Sequence, residues 1–389
     1  MRFIEETWSS EKLGNLCKIT MGQSPSSKNY SKNSNDTILI QGNADLISGK
    51  IVPRIYTSEI TKLSYPGDII LTVRAPVGDL AINEFDSCIG RGVCSIKGNK
   101  FIYYYLESLK DKHVWERLSQ GSTFESINSN DIKNLNLKIP SNSTQNHIIN
   151  FFTAIDTKIE LLQKKHGEYI RFKQYLMQNI FADKSAEKLR FNFNDTWKTV
   201  KIKDIFDERS EKGFLDLELL SVTLNDGVIK RSEIESKDNS NENKSNYKHV
   251  LPGDIVYNSM RMWQGASGVS PYEGIVSPAY TILIPKNVYS KYFGYYFKTN
   301  EMVYQFKKYS QGLTSDTWNL KYPLISEIKI KIPSIEEQKE ITNVFEIMDE
   351  KIKILQNNID ELTTFKKGLL QQMFVVQLIL SLLQNKKHI

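Results

Sequence analysis

Two stretches of the chain place apolar residues alternately four and three positions apart without a slip. The first runs through Ile148, Phe152, Ile155, Ile159, Leu162, His166, Tyr169, Lys173, Leu176 and Ile180. The second runs through Ile341, Phe345, Met348, Ile352, Leu355, Ile359, Leu362, Lys366, Leu369 and Met373. That spacing is the heptad of a coiled-coil helix, and each stretch lacks proline but follows one, Pro140 or Pro333. Ser334 with Glu337 reads as a capping box, the serine oxygen taking a free helix amide and the glutamate answering the serine amide; Ser141 with Thr144 is a weaker start. Each helix should run about 40 residues, hence roughly 60 Å.

Two arrangements hide such a stripe: each helix packs on its own domain, or the two pack on each other. Ten consecutive positions without a slip favour the pair. Lys173 and Lys366 occupy equivalent positions, where a lysine either snorkels or sets register. His166 and Tyr169 face apolar counterparts Ile359 and Leu362, which makes the stripe uneven at its middle. After Phe374 the second stretch continues apolarly through Val376, Leu380 and Leu383, with nothing equivalent after Phe181.

The stretches are copies. At an offset of 193, Ile139, Pro140, Gln145, Ile148, Phe152, Asp156, Lys158, Ile159, Leu162, Phe172, Lys173, Leu176, Gln178 and Phe181 recur as Ile332, Pro333, Gln338, Ile341, Phe345, Asp349, Lys351, Ile352, Leu355, Phe365, Lys366, Leu369, Gln371 and Phe374. Fainter echoes precede them: Trp8 with Trp197, "YPGDI" with "LPGDI", and "SQGST" with "SQGLT", at offsets that drift from 186 to 191. Drifting offsets before a constant one mean loops of changing length ahead of a rigid element. The loop-rich parts alternate runs such as "DIILTV", "GVCSIK", "DIVYNS" and "YTILIP" with turn residues, which predicts mixed α/β domains. "SKDNSNENKSNYK" from Ser236 reads as an exposed loop. The predicted organisation is therefore a domain over 1–140, a helix over 141–185, a second domain over 186–333, a helix over 334–384 and a tail over 385–389.

The composition, 40% hydrophobic and 25% charged over 389 residues, allows two or three ordinary cores. A net charge of +6 from 51 basic and 45 acidic residues favours an anionic partner only if the excess is local. Cys17, Cys88 and Cys94 form neither a disulfide framework nor a CxxC zinc pattern, which fits a reducing cytoplasm. The start carries no export pattern, and the most apolar run, from Phe374, spans 10 residues where a membrane helix needs about 20. No export and no membrane span are expected.

Catalytic signatures are missing. There is no GxxxxGK[ST], no GxGxxG and no HExxH, and the five histidines form no metal grouping. "SPAY" from Ser277 lacks the leading amide or acid and the second proline of an amino-methyltransferase motif. "RAPVGD" and "GRGV" read as turns rather than phosphate cradles. Predicted loops do carry residues that read bases or hold phosphates: Lys28, Tyr30, Arg74, Arg91, Gln120, Ser122 and Thr123 in the first domain, and Asn258, Arg261, Gln264, Lys307, Gln311, Thr314 and Trp318 in the second. Arg pairs with guanine and Asn or Gln with adenine through two hydrogen bonds, while Lys, Ser and Thr hold phosphates; each taken alone is more often a solvated surface or turn-stabilising residue, and the paired loops "SQGST" and "SQGLT" raise the DNA reading above that.

The order of domain, Ile-Pro, helix, domain, Ile-Pro, helix resembles the specificity subunits of type I restriction-modification systems over essentially the whole chain. "LKIPSNSTQNHIINFFTAIDTKIELLQ" and "IKIPSIEEQKEITNVFEIMDEKIKILQ" resemble that family's helical regions; "YPGDIILTVRAPVGDLAI" and "LPGDIVYNSM" resemble parts of its target-recognition domains. The resemblance implies an α+β fold: two α/β target-recognition domains in a pseudo-twofold repeat, separated by a pair of long antiparallel coiled-coil helices. It implies a subunit that is not catalytic, each domain reading half of a split double-stranded DNA site and the helices fixing the gap. It also implies two methyltransferase (modification) subunits and outer restriction subunits as partners, with no cofactor on this chain; S-adenosylmethionine, ATP and Mg²⁺ are expected on the partners. A single-chain methyltransferase or nuclease would instead transfer methyl groups or cut DNA unaided, and a protein-only scaffold would bind no DNA at physiological salt.

Overall fold

The computed structural model describes residues 8–110, 114–119, 126–181, 189, 191, 193–224, 226–235, 240, 243–314 and 317–385, with 375–385 described through their backbone. The chain forms two compact units. One holds residues 1–163 and 357–389, the other 164–356.

The first unit is built on four antiparallel strands: β1 (Lys18–Met21), β2 (Ile69–Thr72), β3 (Leu80–Ile82) and β4 (Val93–Lys97). Their order is β1-β4-β2-β3, and β3 is extended outward by Lys50–Ile51 and Leu46–Ile47. Register runs Cys94 to Met21, Val93 to Thr72 and Leu80 to Leu71. A further five-stranded sheet adjoins it, with Tyr30–Ser31 at one edge and Leu63–Ser64 at the other. The helix α1 (Lys100–Lys110) covers the core, which gathers Trp8, Phe101, Tyr105, Ile148, Phe152, Leu370 and Phe374.

The second unit repeats the plan with β5 (Phe206–Glu208), β6 (Ile255–Asn258), β7 (Ser267–Val269) and β8 (Tyr280–Pro285), all antiparallel in the order β5-β8-β6-β7. First, last, second and third strands lie side by side in both units, so the faint sequence echoes mark a shared sheet. The five-stranded sheet is echoed by two ribbons, Leu220–Thr223 with Gly227–Lys230 and Lys248–Val250 with Gly274–Val276, which a parallel bridge between Leu219 and Ile275 joins.

Both predicted helices form, α2 over Asn142–Phe181 and the longer one over Ile335–Asn385, the second running on where the apolar tail continues. None of the twenty heptad positions named above is exposed; each is buried or half-buried. Each unit contains part of both helices: Ile148 and Phe152 share the first core with Leu370 and Phe374, while Leu176 and Ile180 share the second with Ile341, Phe345 and Met348. Burying a side chain of this size contributes about 1.5–3 kcal/mol, so each core depends on both helices.

The repeated Ile-Pro and glutamine are explained by hydrogen bonds. The Gln145 amide donates to the Pro140 carbonyl at 3.2 Å and accepts from Asn99 at 3.0 Å; Asn99 in turn accepts from Ile102 in the first turn of α1. Gln338 donates to the Pro333 carbonyl at 3.0 Å and accepts at 2.9 Å from the backbone N–H of Tyr289, the residue before α3 (Ser290–Tyr296). Each glutamine thus ties a long helix to the start of its domain's helix. Both serine caps are made, Ser141 Oγ accepting from Thr144 N–H and Ser334 Oγ from Glu337 N–H, each at 3.3 Å. The Glu337 carboxylate also accepts the Trp197 indole N–H at 3.2 Å.

The two lysines in the heptads are ion-paired. In the first unit Lys366 Nζ lies 2.8 Å from Asp156, 2.9 Å from Glu107, and 5.3 Å from the centre of the Tyr104 ring, whose hydroxyl donates to Asp156 at 2.8 Å. In the second, Lys173 pairs with Asp349 and sits 5.2 Å from the Tyr295 ring, whose hydroxyl donates to Asp349 at 2.8 Å. Tyr104 and Tyr295, Asp156 and Asp349, Lys366 and Lys173 are repeat counterparts, so the same brace is built twice. The third member differs: where the first unit has Glu107, the second has Lys298, whose pKa is lowered by burial and then by Lys173.

Candidate nucleic-acid interface

At the end of the first sheet where β2 finishes and β4 begins, the ladder continues for one more step. Val73 N–H donates to the Gly92 carbonyl at 2.9 Å, so that Arg74, bridged to Ser126, and Arg91, in the turn Gly90–Val93, leave the two strands at the same end. On the other side Gly22 N–H donates to Val93 at 3.0 Å and Arg91 N–H to Ser24 Oγ at 3.1 Å. Gly90 N–H donates to the Ile40 carbonyl at 2.8 Å, bringing Gln41 to the same place. Here "GRGV" forms a turn, Val93 N–H donating to the Gly90 carbonyl at 3.1 Å, and carries the chain from one sheet into the next. A Cβ on Gly92 would collide with the Gln41 carbonyl oxygen, and one on Gly22 with that of Gly90. Glycine is required there by close backbone approach.

The result is an exposed end bearing Arg74, Arg91 and Gln23, with Ser24 and Gln41 half-buried beside them. Two guanidinium groups and two carboxamides on one rim can form bidentate pairs with base edges. Lys28 and Tyr30 are not part of this rim by any bond. Lys28 is exposed on the turn Ser27–Asn29, which Glu59 holds by accepting from Ser26 N–H and the Asn29 amide, and Tyr30 is half-buried at the sheet edge. Asn29 first and Ser26 second lower the Glu59 pKa, keeping it charged. Gln120, Ser122 and Thr123 lie outside the described residues.

In the second unit the equivalent sheet end collects nearly every residue named from sequence. Asn258 ends β6; Arg261 and Gln264 follow in the turn around Met262–Gln264, and Lys307 lies in the last turn of α4 (Asn300–Tyr309). Gln311 bridges to Asn319, and Leu320 N–H donates to the Ser259 carbonyl at 2.8 Å, anchoring this loop to the strand end. Trp318 meets Trp263 edge to face with ring centres 5.3 Å apart, and Lys307 Nζ stands 5.5 Å from the Trp318 ring. Thr314 is exposed in the same loop, its N–H donating to Thr317 Oγ1 at 3.1 Å. Arg261, Gln264, Lys307 and Gln311 are exposed.

Sequence reasoning missed Trp263, Gln23 and Gln41. A tryptophan within the turn "SMRMWQGAS", rather than inside an apolar run, was the available signal for the first. For Gln41 there was none, since its position depends on a sheet corner built from residues about fifty apart.

Among the described residues no three His, Cys, Asp or Glu side chains are placed to hold a metal ion, and no helix is long and apolar enough to cross a membrane. The free thiols Cys17, Cys88 and Cys94 are buried, and burial pushes the first up to about 11 and the last to about 12.

Comparison with known proteins agrees with this architecture. The family described as type I restriction modification DNA specificity domain matches residues 5–168 and again 194–364. A putative type I restriction enzyme MjaX specificity subunit of Methanocaldococcus jannaschii is 36% identical over 195 residues, covering 48% of this chain and 45% of that protein. The MjaIX specificity subunit of the same organism is 25% identical over 153 residues, 36% of this chain and 35% of that protein. The chain thus matches less than half the length of either relative. The S subunit of a type I restriction-modification system from M. genitalium superposes with a TM-score of 0.60 at 16% identity, covering 95% of this chain and 96% of that one. A chain from a structure concerned with assembly and conformational transition of the type I R-M system gives 0.57 at 16% identity over 95% and 97%. The latter two speak to the fold alone. Matched across both of its repeats, the chain belongs to the type I restriction modification DNA specificity domain family.

Proposed function

We propose that this protein is the DNA specificity subunit of a type I restriction-modification complex and performs no chemistry itself. Each unit's sheet end reads one half of a bipartite duplex site. The observation that carries this reading is the pair of equivalent sheet ends with unlike side chains: Arg74, Arg91, Gln23 and Gln41 on one, Asn258, Arg261, Gln264, Lys307 and Trp318 on the other. One scaffold bearing two different polar rims is what recognition of two different half-sites requires.

In the same proposal the long helices pair antiparallel and set the gap between half-sites. The ion pairs support it: advancing along one helix from Asp156 to Lys173 retreats along the other from Lys366 to Asp349. A strut of about 40 residues, roughly 60 Å, suits reading heads one to two DNA turns apart at about 34 Å per turn. Two modification subunits dock on the assembly and bring S-adenosylmethionine; restriction subunits bring ATP and Mg²⁺; the complex works in the cytoplasm.

The test is spacing. Duplexes captured by the full chain with a modification subunit should carry two conserved blocks, and inserting one base pair between the blocks should lower affinity at least tenfold. Binding indifferent to that insertion defeats the ruler, and absence of salt-sensitive duplex binding defeats DNA recognition.

A further inference from the structure

The rim of the second unit exposes more apolar surface than hydrogen bonding to base edges needs. Leu313 is 101% exposed and Met260 43%. Behind them stand Trp263, whose indole N–H donates to the Met260 carbonyl at 3.1 Å, and Trp318, one residue from the Gln311–Asn319 bridge that closes the Leu313 loop. Gly312, just before Leu313, has φ +153 and leaves no room for a side chain against Thr317, so the loop holds Leu313 out on a tight bend.

Two occupants fit an exposed apolar tip: another protein, or the gap between two base pairs. Charge decides. Segments 258–265, 303–314 and 317–321 carry Arg261, Lys307, Lys308 and Lys321 and no acid; Asp316, outside the described residues, is the one carboxylate between the last two. Lysine is depleted from the cores of protein interfaces, whereas apolar wedges ringed by cations are how proteins unstack duplex steps.

We infer that this cluster is an unstacking wedge. Leu313 enters between two base pairs of the half-site read by the second unit, Trp318 and Trp263 back it and offer an aromatic face to the displaced base, and Lys307 and Arg261 hold the flanking phosphates. Among the described residues the first unit's rim of arginines and carboxamides carries no such feature. The inference rests on the DNA-reading function proposed above.

Permanganate, which attacks thymines that have lost a stacking neighbour, provides the test. The purified full chain, without a modification subunit or S-adenosylmethionine, is used to capture duplexes from a randomised pool, and captured duplexes with thymines in both halves are footprinted. Reactive thymines are expected in the half read by the second unit. Leu313→Gln, at a fully exposed position that no fold depends on, should abolish that reactivity and weaken binding about tenfold, the usual scale for one lost base stack. Trp318→Phe should retain most of both. Captured duplexes that stay unreactive, or a Leu313→Gln protein with unchanged reactivity, overturn the wedge while leaving DNA reading intact. Loss of modification-subunit binding by Leu313→Gln with the footprint unchanged assigns the tip to protein contact and overturns it equally. A chain that captures no duplex, alone or with a modification subunit, removes both the wedge and the function beneath it.

Discussion

Replacing Lys366 by methionine should loosen the first unit far more than Lys173→Met loosens the second, although the two lysines are repeat counterparts. The Lys366 side chain retains 10% exposure and faces two carboxylates, Asp156 and Glu107, at 32% and 31%. Removing one partner of a fully buried ion pair costs about 3–5 kcal/mol because the survivors are left uncompensated. The carboxylates keep nearly a third of their exposure, so about 2–3 kcal/mol is the expected loss after discounting for solvent. Lys173 is 22% exposed against a single carboxylate at 42%, and Lys298 opposes it. Its removal should cost about 1 kcal/mol or less.

Hydrogen exchange followed by mass spectrometry separates the two units. Peptides from 142–163 should open roughly 30- to 150-fold more often in Lys366→Met, while those from 335–349 stay at the wild-type rate. The alkaline arm has a definite sign. Burial would lower the Lys366 pKa, but Glu107 and Asp156 outweigh it and raise the net value above 10.5. A pKa raised on folding means stability that is present below about pH 10.5 and lost as pH climbs through the folded value. Wild type should therefore approach the mutant's exchange behaviour only in that alkaline window. Equal effects of the two substitutions, or a Lys366→Met loss under about 0.5 kcal/mol, would refute the asymmetry.

Gln145→Leu and Gln338→Leu each leave a proline carbonyl without its donor, at about 1–3 kcal/mol apiece; urea titration followed by tryptophan fluorescence should move the midpoint down for both. Arg74→Ala and Arg91→Ala should leave circular dichroism unchanged. Each should weaken duplex binding by about 1–3 kcal/mol if it reads a base, or reduce the salt slope by about one if it holds a phosphate, and an unaltered binding isotherm removes that residue from the interface. The thiols should resist iodoacetamide at pH 8 in the folded protein, since burial holds Cys17 near about 11 and Cys94 near about 12; labelling of the native protein at the rate of free cysteine would contradict the buried placement.

How far the chain could be read before its structure was known followed the range of the interactions concerned. The helices were legible because a heptad is a local pattern, and the predicted start after Pro140 and Pro333 agrees with helices beginning at Asn142 and Ile335. The repeat announced Gln145 and Gln338 as important but not why, because their partners Asn99 and Tyr289 are about fifty residues away and not alike in type. The sheets were harder. Their strands are two to six residues long, too short for alternation to reveal an end, and the meeting of Arg74 and Arg91 at one sheet end depends on glycines whose role is close approach. The five-stranded sheet of the first unit left no trace in the pattern, since "TILI" and "SCI" read as buried strands wherever they pair.

One further consequence concerns synthesis. The second unit is a continuous run, 164–356, and can close as soon as that run has been made. The first cannot: Trp8 and Phe101 pack against Phe374, with ring centres 6.1 and 5.6 Å apart. A nascent chain therefore carries an unfinished apolar core past the ribosome until the helix bearing Phe374 emerges, which makes the region around Trp8 and Phe101 protease-resistant only after the 164–356 unit that follows it in sequence.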